Sequence, residues 1–135
     1  MTINHPNKLY VPDKSVDFIY SCYLLHKHPK EKILEILKEW KRAIKDGGQL
    51  YISVPDYFLL SDKYLKSKCK IEEVNRVLNE SKIFLDFLMV QRLLVQSGFY
   101  AVKRFDVERN PPKKEDMSLY EIGGQIISLN VEAYG

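Results

Sequence analysis

The sequence predicts an α/β fold formed by a single domain. Two apolar, strand-like stretches flank an amphipathic helix in the first half, and two further strand-like stretches near the C-terminus have only a polar loop between them. A strand, a helix and a strand at this spacing form a parallel crossover unit. Strands joined by a loop alone are expected to be antiparallel neighbours at one end of the sheet. We therefore expect one domain over residues 1–135, built on a mixed sheet.

The first crossover unit has the clearest signals. The run "VDFIYS" at 16–21 is apolar, β-branched and aromatic and follows the turn-forming "PDKS", which predicts a buried strand. A helix is predicted to begin at Pro29, because apolar residues recur at helical spacing as far as Ile44 and lysines take the other side. The glycines of "DGG" at 46–48 are predicted to end this helix. The second strand is then "QLYISVP" at 49–55, closed by a proline that cannot donate to a ladder.

The later elements follow in a looser pattern. One or two short helices are predicted over 57–79, and a longer helix from a cap at Ser81 to a stop at Gly98. The third strand is predicted over 100–106 and the fourth over 125–133, with a polar, proline-rich loop between them. The apolar residues predicted to face inward are Leu59, Leu60, Tyr64, Val74 and Leu78 in the first region, and Phe84, Leu85, Leu88, Leu94 and Val95 in the longer helix.

Composition argues against several classes of protein. The 21 Lys and Arg residues are interleaved with 18 Asp and Glu residues, so no surface of one sign is indicated and nucleic acid is not an expected partner. Cys22 and Cys69 lie far apart without CxxC spacing, which favours free thiols in a reducing compartment. No apolar run suits a signal peptide or a bilayer span. We expect a cytoplasmic protein with no membrane partner.

The histidines do not predict a metal site. His26 and His28 would not share a face at the start of the predicted helix, and no nearby carboxylate or cysteine completes a ligand set with them and His5. We interpret them as solvated or helix-capping residues. Cys22 is interpreted as a small residue packed at a strand end, in preference to a reactive thiol.

Four segments resemble the class I S-adenosylmethionine-dependent methyltransferases, most closely the small ones that end in an "iSLxVEA"-like strand. "LYVPDKSVD" at 9–17 is similar to the family's "LPFxDxSfD", and "RAIKDGGQLYISVPD" at 42–56 to its "RvLKPGGxLyISVPD". "LLVQSGF" at 93–99 is similar to "LLxxaGF", and "ISLNVEA" at 127–133 to the final strand. Each segment alone is a weak signal, but their order and separations are those of the family.

The resemblance implies a partial Rossmann-like methyltransferase sheet, from the family's fourth strand to its last, with S-adenosylmethionine as the cofactor. By resemblance, a position near Asn4 would lie against the adenine, and Ser21, Cys22 and Tyr23 would face the methyl group. Asp56 follows the second strand at the edge of the sheet where α/β proteins bind ligands. It would lie near the methyl acceptor, although capping of the next helix is its simpler role.

The sequence also departs from the family. The family's Gly-rich turn after its first strand and the acidic residue after its second, which hold the cofactor, have no counterpart here. The paired glycines Gly47–Gly48 and Gly123–Gly124 belong to later turns. In the loop "SCYLLHKHP", Tyr23, His26 and Lys27 stand where the family commonly has His, Glu and His. No residue is assigned a catalytic role, and we expect the glycine-rich half to come from elsewhere.

An unpaired sheet edge follows from that expectation. In the family's strand order the first strand lies beside the equivalent of "VDFIYS", whose N–H and C=O groups would otherwise stay unpaired. The sequence therefore predicts a homodimer through this edge, or a partner chain that supplies the nucleotide-binding half. Two alternatives stay open: a non-catalytic methyltransferase-fold remnant acting as a subunit or interaction module, and an RNA-binding module. The RNA-binding residues would be Lys63, Lys66, Lys68 and Lys70 beside Tyr57 and Tyr64.

Overall fold

The fold is mixed α/β, as predicted. The structure is a computed structural model that describes residues 6–105 and 116–135. Its elements are strand β1 (Val16–Cys22), helix α1 (Lys30–Ala43), strand β2 (Ile44–Pro55), helices α2 (Tyr57–Leu65), α3 (Ile71–Val77) and α4 (Phe87–Gln96), and strands β3 (Tyr100–Arg104), β4 (Glu121–Ile122), β5 (Gln125–Ile126) and β6 (Ser128–Tyr134). Short 3₁₀ turns cover Leu25–Lys27 and Met117–Leu119. None of the described helices is both long and apolar enough to cross a membrane.

A four-stranded sheet in the order β1-β2-β6-β3 forms the centre of the molecule. Strands β1 and β2 are parallel, and β6 lies between β2 and β3, antiparallel to both. The predicted parallel crossover and antiparallel C-terminal pair are therefore confirmed. The predicted fourth strand is split, because β5 pairs with β4 in a separate hairpin and only β6 enters the main sheet. Among the described residues, β1 is an edge strand.

One face of the sheet carries the main hydrophobic core. Ile19, Leu50, Ile52 and Val131 are buried there, in one cluster with apolar residues of α1 and α4. Side chains alternate between the faces of a strand, so the register places a second set on the opposite face. The cross-strand neighbours on that face are Tyr20, Tyr51 and Glu132 in one row and Cys22, Ser53 and Asn130 in the next.

Helix α1 forms as predicted, but its C-terminal end does not lie at the "DGG" turn. The helix ends at Ala43, and Ile44 already has an extended backbone that pairs with Val16. The pairing then shifts so that Phe18 lies opposite Gln49, and the intervening residues bulge out of the ladder. Gly47 has a φ of +76°, which suits glycine. The glycines therefore belong to a bulge between two paired parts of β2.

Helix α4 begins later than predicted. Its N-cap is Asp86, whose Oδ1 accepts a 2.9 Å hydrogen bond from the Met89 amide, so the predicted cap at Ser81 is wrong. The predicted stop near Gly98 is confirmed, since the helix ends at Gln96. The predicted inward face is partly wrong, because packing against β3 and β6 sets a different phase. Val90, Leu93 and Leu94 are buried, whereas Phe84, Leu88 and Val95 are more than half exposed.

A small cap of α2, α3 and the β4–β5 hairpin has its own hydrophobic cluster. Leu60, Val77, Ile122 and Ile127 are buried together there. The sequence predicts one or two short helices over 57–79, and the structure has two. The predicted inward position of Tyr64 is wrong, since it is 45% exposed. The amide of Asp56 donates to the carbonyl of Ile127 at 3.0 Å, which ties the cap to the carboxyl end of β2.

Candidate functional site

The carboxyl ends of the parallel strands β1 and β2 meet at one edge of the sheet. The register pairs Cys22 with Ser53, and the amide of Tyr23 donates to the carbonyl of Ser53 at 2.7 Å. The sequence-predicted residues Ser21, Cys22 and Tyr23 therefore lie beside the end of β2, which leads into Asp56. This is the edge at which α/β proteins bind ligands. Asn4, the fifth predicted site residue, lies outside the described residues.

Tyr23 is held in a conformation that is unusual for a residue with a side chain. Its φ is +52°, a left-handed backbone that costs about 1 kcal/mol or more for a non-glycine residue. Its hydroxyl hydrogen-bonds with Ser128 Oγ at 2.6 Å, and its ring packs edge-on against His26. Burial raises the pKa of the phenol, so Tyr23 stays neutral at physiological pH. Strained residues of this kind concentrate at functional sites.

Asp116 is a site residue that the sequence analysis missed. Its carboxylate accepts hydrogen bonds from the Tyr20 hydroxyl and, at 2.9 Å, from the Ser118 amide. Burial raises the pKa of Asp116, but the hydrogen bonds from Ser118 and Tyr20 outweigh it, so the net shift is downward and the group is ionised. The one local signal is an Asp two residues before a Ser, which predicts a turn and not a site.

Cys22 lies next to this carboxylate and stays protonated. Burial and the negative charge of Asp116 both raise the pKa of its thiol. A reactive cysteine needs the thiolate form, which burial and the nearby carboxylate disfavour here. The structure therefore agrees with the interpretation of Cys22 as a small residue packed at a strand end.

Several buried polar atoms at this edge have no hydrogen-bond partner among the described residues. They are Ser21 Oγ on the core face, and Ser53 Oγ and Asn130 Oδ1 on the opposite face. Asn130 is held by its other amide atom, since Nδ2 donates to the carbonyl of Ser118 at 3.0 Å. Buried polar groups in proteins are nearly always paired with protein, water or ligand. The edge therefore offers hydrogen-bonding capacity to a polar ligand or to ordered water.

Asp56 caps helix α2. The side chain is almost fully buried, and its Oδ1 accepts a 3.3 Å hydrogen bond from the Leu59 amide. Burial raises its pKa, and the hydrogen bond from Leu59 and the charge of Arg104, 3.5 Å away, offset only part of the increase. The simpler of its two predicted roles, capping, is thus confirmed, and contact with an acceptor stays a prediction.

Replacing Asp56 with alanine is expected to lower the free energy of unfolding by about 1 to 2 kcal/mol, because the Leu59 amide loses its acceptor. Asp56→Asn keeps a side-chain oxygen that can accept from the Leu59 amide, so we expect a change within about 0.5 kcal/mol. Urea denaturation at neutral pH measures both. Equal losses in the two variants would contradict the capping role.

His26 is buried, which contradicts the interpretation of a solvated histidine. It lies in the Leu25–Lys27 turn with 2% of its surface exposed, because the turn folds back against the sheet. Burial, with a smaller effect from the charges of Lys27 and His28, lowers its pKa from 6.5 to about 4, so the imidazole is neutral. Within residues 6–105 and 116–135, no group of three or more His, Cys, Asp or Glu side chains is placed to hold a metal ion.

The glycines do not form a cofactor cradle at this edge. Gly47 and Gly48 lie at the amino-terminal part of β2, at the opposite edge, and a Cβ added to Gly48 would lie 2.7 Å from Ile44. Gly123 and Gly124 form the turn of the β4–β5 hairpin and face open space. The described residues therefore provide a polar rim, but not the glycine-rich turn that the resemblance implies for S-adenosylmethionine.

Part of the chain matches a known family model. The model described as "Methyltransferase domain" matches residues 3–52, which is less than half of the chain. The matched segment includes β1, α1 and most of β2, and therefore the loop of Ser21, Cys22 and Tyr23. No curated protein matches the chain.

Solved structures match the fold over nearly the whole chain. An S-adenosylmethionine-dependent methyltransferase from Archaeoglobus fulgidus is 17% identical, with a TM-score of 0.58 over 93% of this chain and 62% of that one. A Haloferax volcanii protein described as a methyltransferase, in complex with a methyltransferase activator, is 12% identical, with a TM-score of 0.60 over 98% and 60%. Human N-acetylserotonin methyltransferase in complex with S-adenosylmethionine is 12% identical, with a TM-score of 0.61 over 98% and 32%.

These identities are low, so the likeness is one of fold. The chain spans about 60% or less of the length of these three proteins. It therefore has the fold of a part of the S-adenosylmethionine-dependent methyltransferases.

Proposed function

We propose that this chain is the acceptor-facing part of an S-adenosylmethionine-dependent methyltransferase, with residues 1–135 as one methyltransferase-like domain. The sheet order β1-β2-β6-β3, with β6 alone antiparallel, is the observation that carries the proposal. It is the order expected for the family's strands four, five, seven and six. The family model that matches residues 3–52 also includes the loop after β1. A cytoplasmic location belongs to the proposal, since free Cys22 and Cys69 suit a reducing compartment.

The proposed roles belong to residues at the carboxyl ends of β1 and β2. Ser21, Cys22 and Tyr23 lie near the transferred methyl group, Asp56 lies near the acceptor, and Asn4 lies near the adenine. The neutral phenol of Tyr23 supports contact with a polar ligand, as does Ser21 Oγ, which has no hydrogen-bond partner among the described residues. Methyl transfer from a sulfonium depends mainly on holding the acceptor in line, so a rim of neutral polar groups is chemically sufficient on this side.

The cofactor site is proposed to be completed by a second copy of the chain or by a partner chain at β1. Strand β1 is an edge strand among the described residues, and Phe18 on it is 47% exposed. An apolar, unpaired edge favours strand addition. The Haloferax volcanii protein provides a precedent for assembly with a partner on this fold.

A second candidate is a non-catalytic methyltransferase-fold module that binds a partner along strand β1. The absence of a glycine cradle among the described residues favours it for the chain alone. An RNA-binding module has less support, since Lys66 pairs with Asp62 at 3.1 Å and the basic cluster is small.

Calorimetric titration with S-adenosylmethionine and S-adenosylhomocysteine tests the proposal, after light scattering has established the mass in solution. We expect micromolar binding at a defined stoichiometry by the chain paired through β1, or by the chain with its partner. Tyr23→Phe should weaken binding, because it removes the hydroxyl that is proposed to contact the ligand and that bonds with Ser128, whereas Tyr10→Phe, at a 79% exposed site, should not. If the assembled protein releases no heat of binding at millimolar ligand, methyl transfer is contradicted. The non-catalytic interaction module is then the remaining candidate.

A further inference from the structure

A surface groove lies between helix α2 of the cap and helix α4. Its volume is about 700 Å³, within the range of small-molecule sites. The apolar lining includes Tyr57, Phe58 and Leu65 of α2, Leu88 and Met89 of α4, and Phe84 from the segment before α4. None of these residues has a part in the proposed methyl transfer.

Several apolar side chains that line the groove are exposed to solvent. Phe58 is 68% exposed and Leu65 is 80% exposed, both on the outward face of α2, while Leu60 on the inward face is fully buried. A helix that is apolar on both faces normally has both faces covered. Leu88 on α4, at 52% exposed, lines the opposite wall. Contiguous exposed apolar surface of this kind marks binding sites.

The groove lining contains a preformed aromatic pair. The rings of Tyr57 and Phe84 stack with centroids 4.5 Å apart and planes 6° from parallel. The amide of Tyr57 also donates to the carbonyl of Leu85 at 3.0 Å, which fixes the start of α2 against the segment before α4. A ligand would therefore meet a rigid aromatic surface, and little ordering would oppose binding.

Two carboxylates and two cations line the groove. Its two carboxylates are engaged: Asp62 pairs with Lys66 at 3.1 Å, and Asp86 caps the N-terminus of α4. Its two cations, Lys30 and Arg92, form no ion pair with any other described residue. Lys30 and Arg92 are therefore the charged lining groups that are not engaged with other described residues, and they complement an anion.

We propose that this groove binds a small organic anion with a planar apolar body, such as an aromatic carboxylate. The aromatic pair and the apolar walls take the body, and Arg92 with Lys30 takes the carboxylate. The inference does not depend on methyl transfer, because it concerns binding alone and uses no residue of the candidate site.

Three naphthalene probes of nearly equal shape test the charge preference: naphthoate, naphthalenemethanol and naphthylmethylamine, which are an anion, a neutral alcohol and a cation at pH 7. Binding is followed by probe fluorescence anisotropy without S-adenosylmethionine. We expect saturable binding with the naphthoate tightest, the alcohol about fivefold weaker and the amine weaker still.

Two substitutions on the same helix test the location. Leu88→Gln should weaken naphthoate binding at least fivefold, because it removes an apolar wall. Val95→Gln is the matched control, since Val95 is 58% exposed on α4 outside the groove, and it should leave affinity unchanged. Arg92→Gln should weaken naphthoate about fivefold and leave the alcohol unaffected. All three sites are exposed, and an unchanged Tm confirms folding.

Several outcomes would overturn the proposal. These are no saturable binding at millimolar probe, equal affinity for the anion and the cation, or equal effects of Leu88→Gln and Val95→Gln. Concentration-dependent self-association that Leu88→Gln abolishes would assign the groove to a second copy of the chain. Sedimentation with anionic vesicles, without binding of free naphthoate, would assign it to a lipid surface.

Discussion

Replacing Trp40 with alanine is expected to lower the free energy of unfolding by about 3 to 5 kcal/mol. Trp40 lies in the last turn of α1, has no exposed surface, and is part of the cluster that joins α1 and α4 to the sheet. Its loss would leave a cavity too large for the surrounding side chains to fill. Urea denaturation followed by circular dichroism measures the change, because Trp40 is the only tryptophan and its fluorescence is lost.

Two further variants separate packing from hydrogen bonding. The Trp40 indole Nε1 donates to the carbonyl of Pro6 at 2.9 Å, so Trp40→Phe keeps most of the packing but loses this bond and should cost about 1 to 2 kcal/mol beyond the volume change. Val95→Ala, at an exposed site of α4, should change stability by less than about 0.5 kcal/mol. A loss for Trp40→Ala no larger than for Val95→Ala would contradict the described core.

The second large effect is a loss of stability in acid that His26 controls. Its pKa is about 4 in the folded protein and 6.5 in an unfolded chain. Below pH 6.5 the unfolded chain binds a proton that the folded protein does not, so stability is complete above pH 6.5 and declines as the pH falls toward 4. Because one pKa unit corresponds to about 1.4 kcal/mol, the shift is linked to about 3 kcal/mol.

The variant His26→Phe should remove this pH dependence, because phenylalanine keeps an aromatic ring against Tyr23 and cannot be protonated. Urea denaturation of both proteins from pH 7 to pH 4 measures the difference between them, in which other titrating groups cancel. His28→Gln is the control: burial also lowers the pKa of His28, but it is only partly buried, so most of the slope should remain. Parallel curves for wild type and His26→Phe would show that His26 titrates normally.

Elements that depend on local pattern were predictable. Helix α1 and the second part of β2 match their predicted positions, because helical periodicity and an apolar run report burial on one face or on both faces. Two of the errors lie at element boundaries. The "DGG" turn and a cap at Ser81 are both sound local signals, but pairing of Ile44 with Val16 and capping by Asp86 replaced them.

The candidate site was predictable to the extent that it follows parallel strands. Ser21, Cys22 and Tyr23 lie beside the end of β2 because parallel strands end at the same edge. Asp116 and Ser128 could not be predicted. Their hydrogen bonds to Tyr20 and Tyr23 span 96 and 105 residues, and no local pattern reports a contact at that separation.

The sequence by itself determined the α/β class, the crossover helix and the residues at the ends of the first two strands, because these depend on neighbours within a few turns of chain. The tertiary structure alone decided the position of β6 between β2 and β3, the pairing of Tyr23 with Ser128, and the groove between α2 and α4. Each of these brings together segments that are distant in the chain. Their free energy comes from contacts that exist only once the sheet has formed, so a periodic pattern in one segment carries no trace of them.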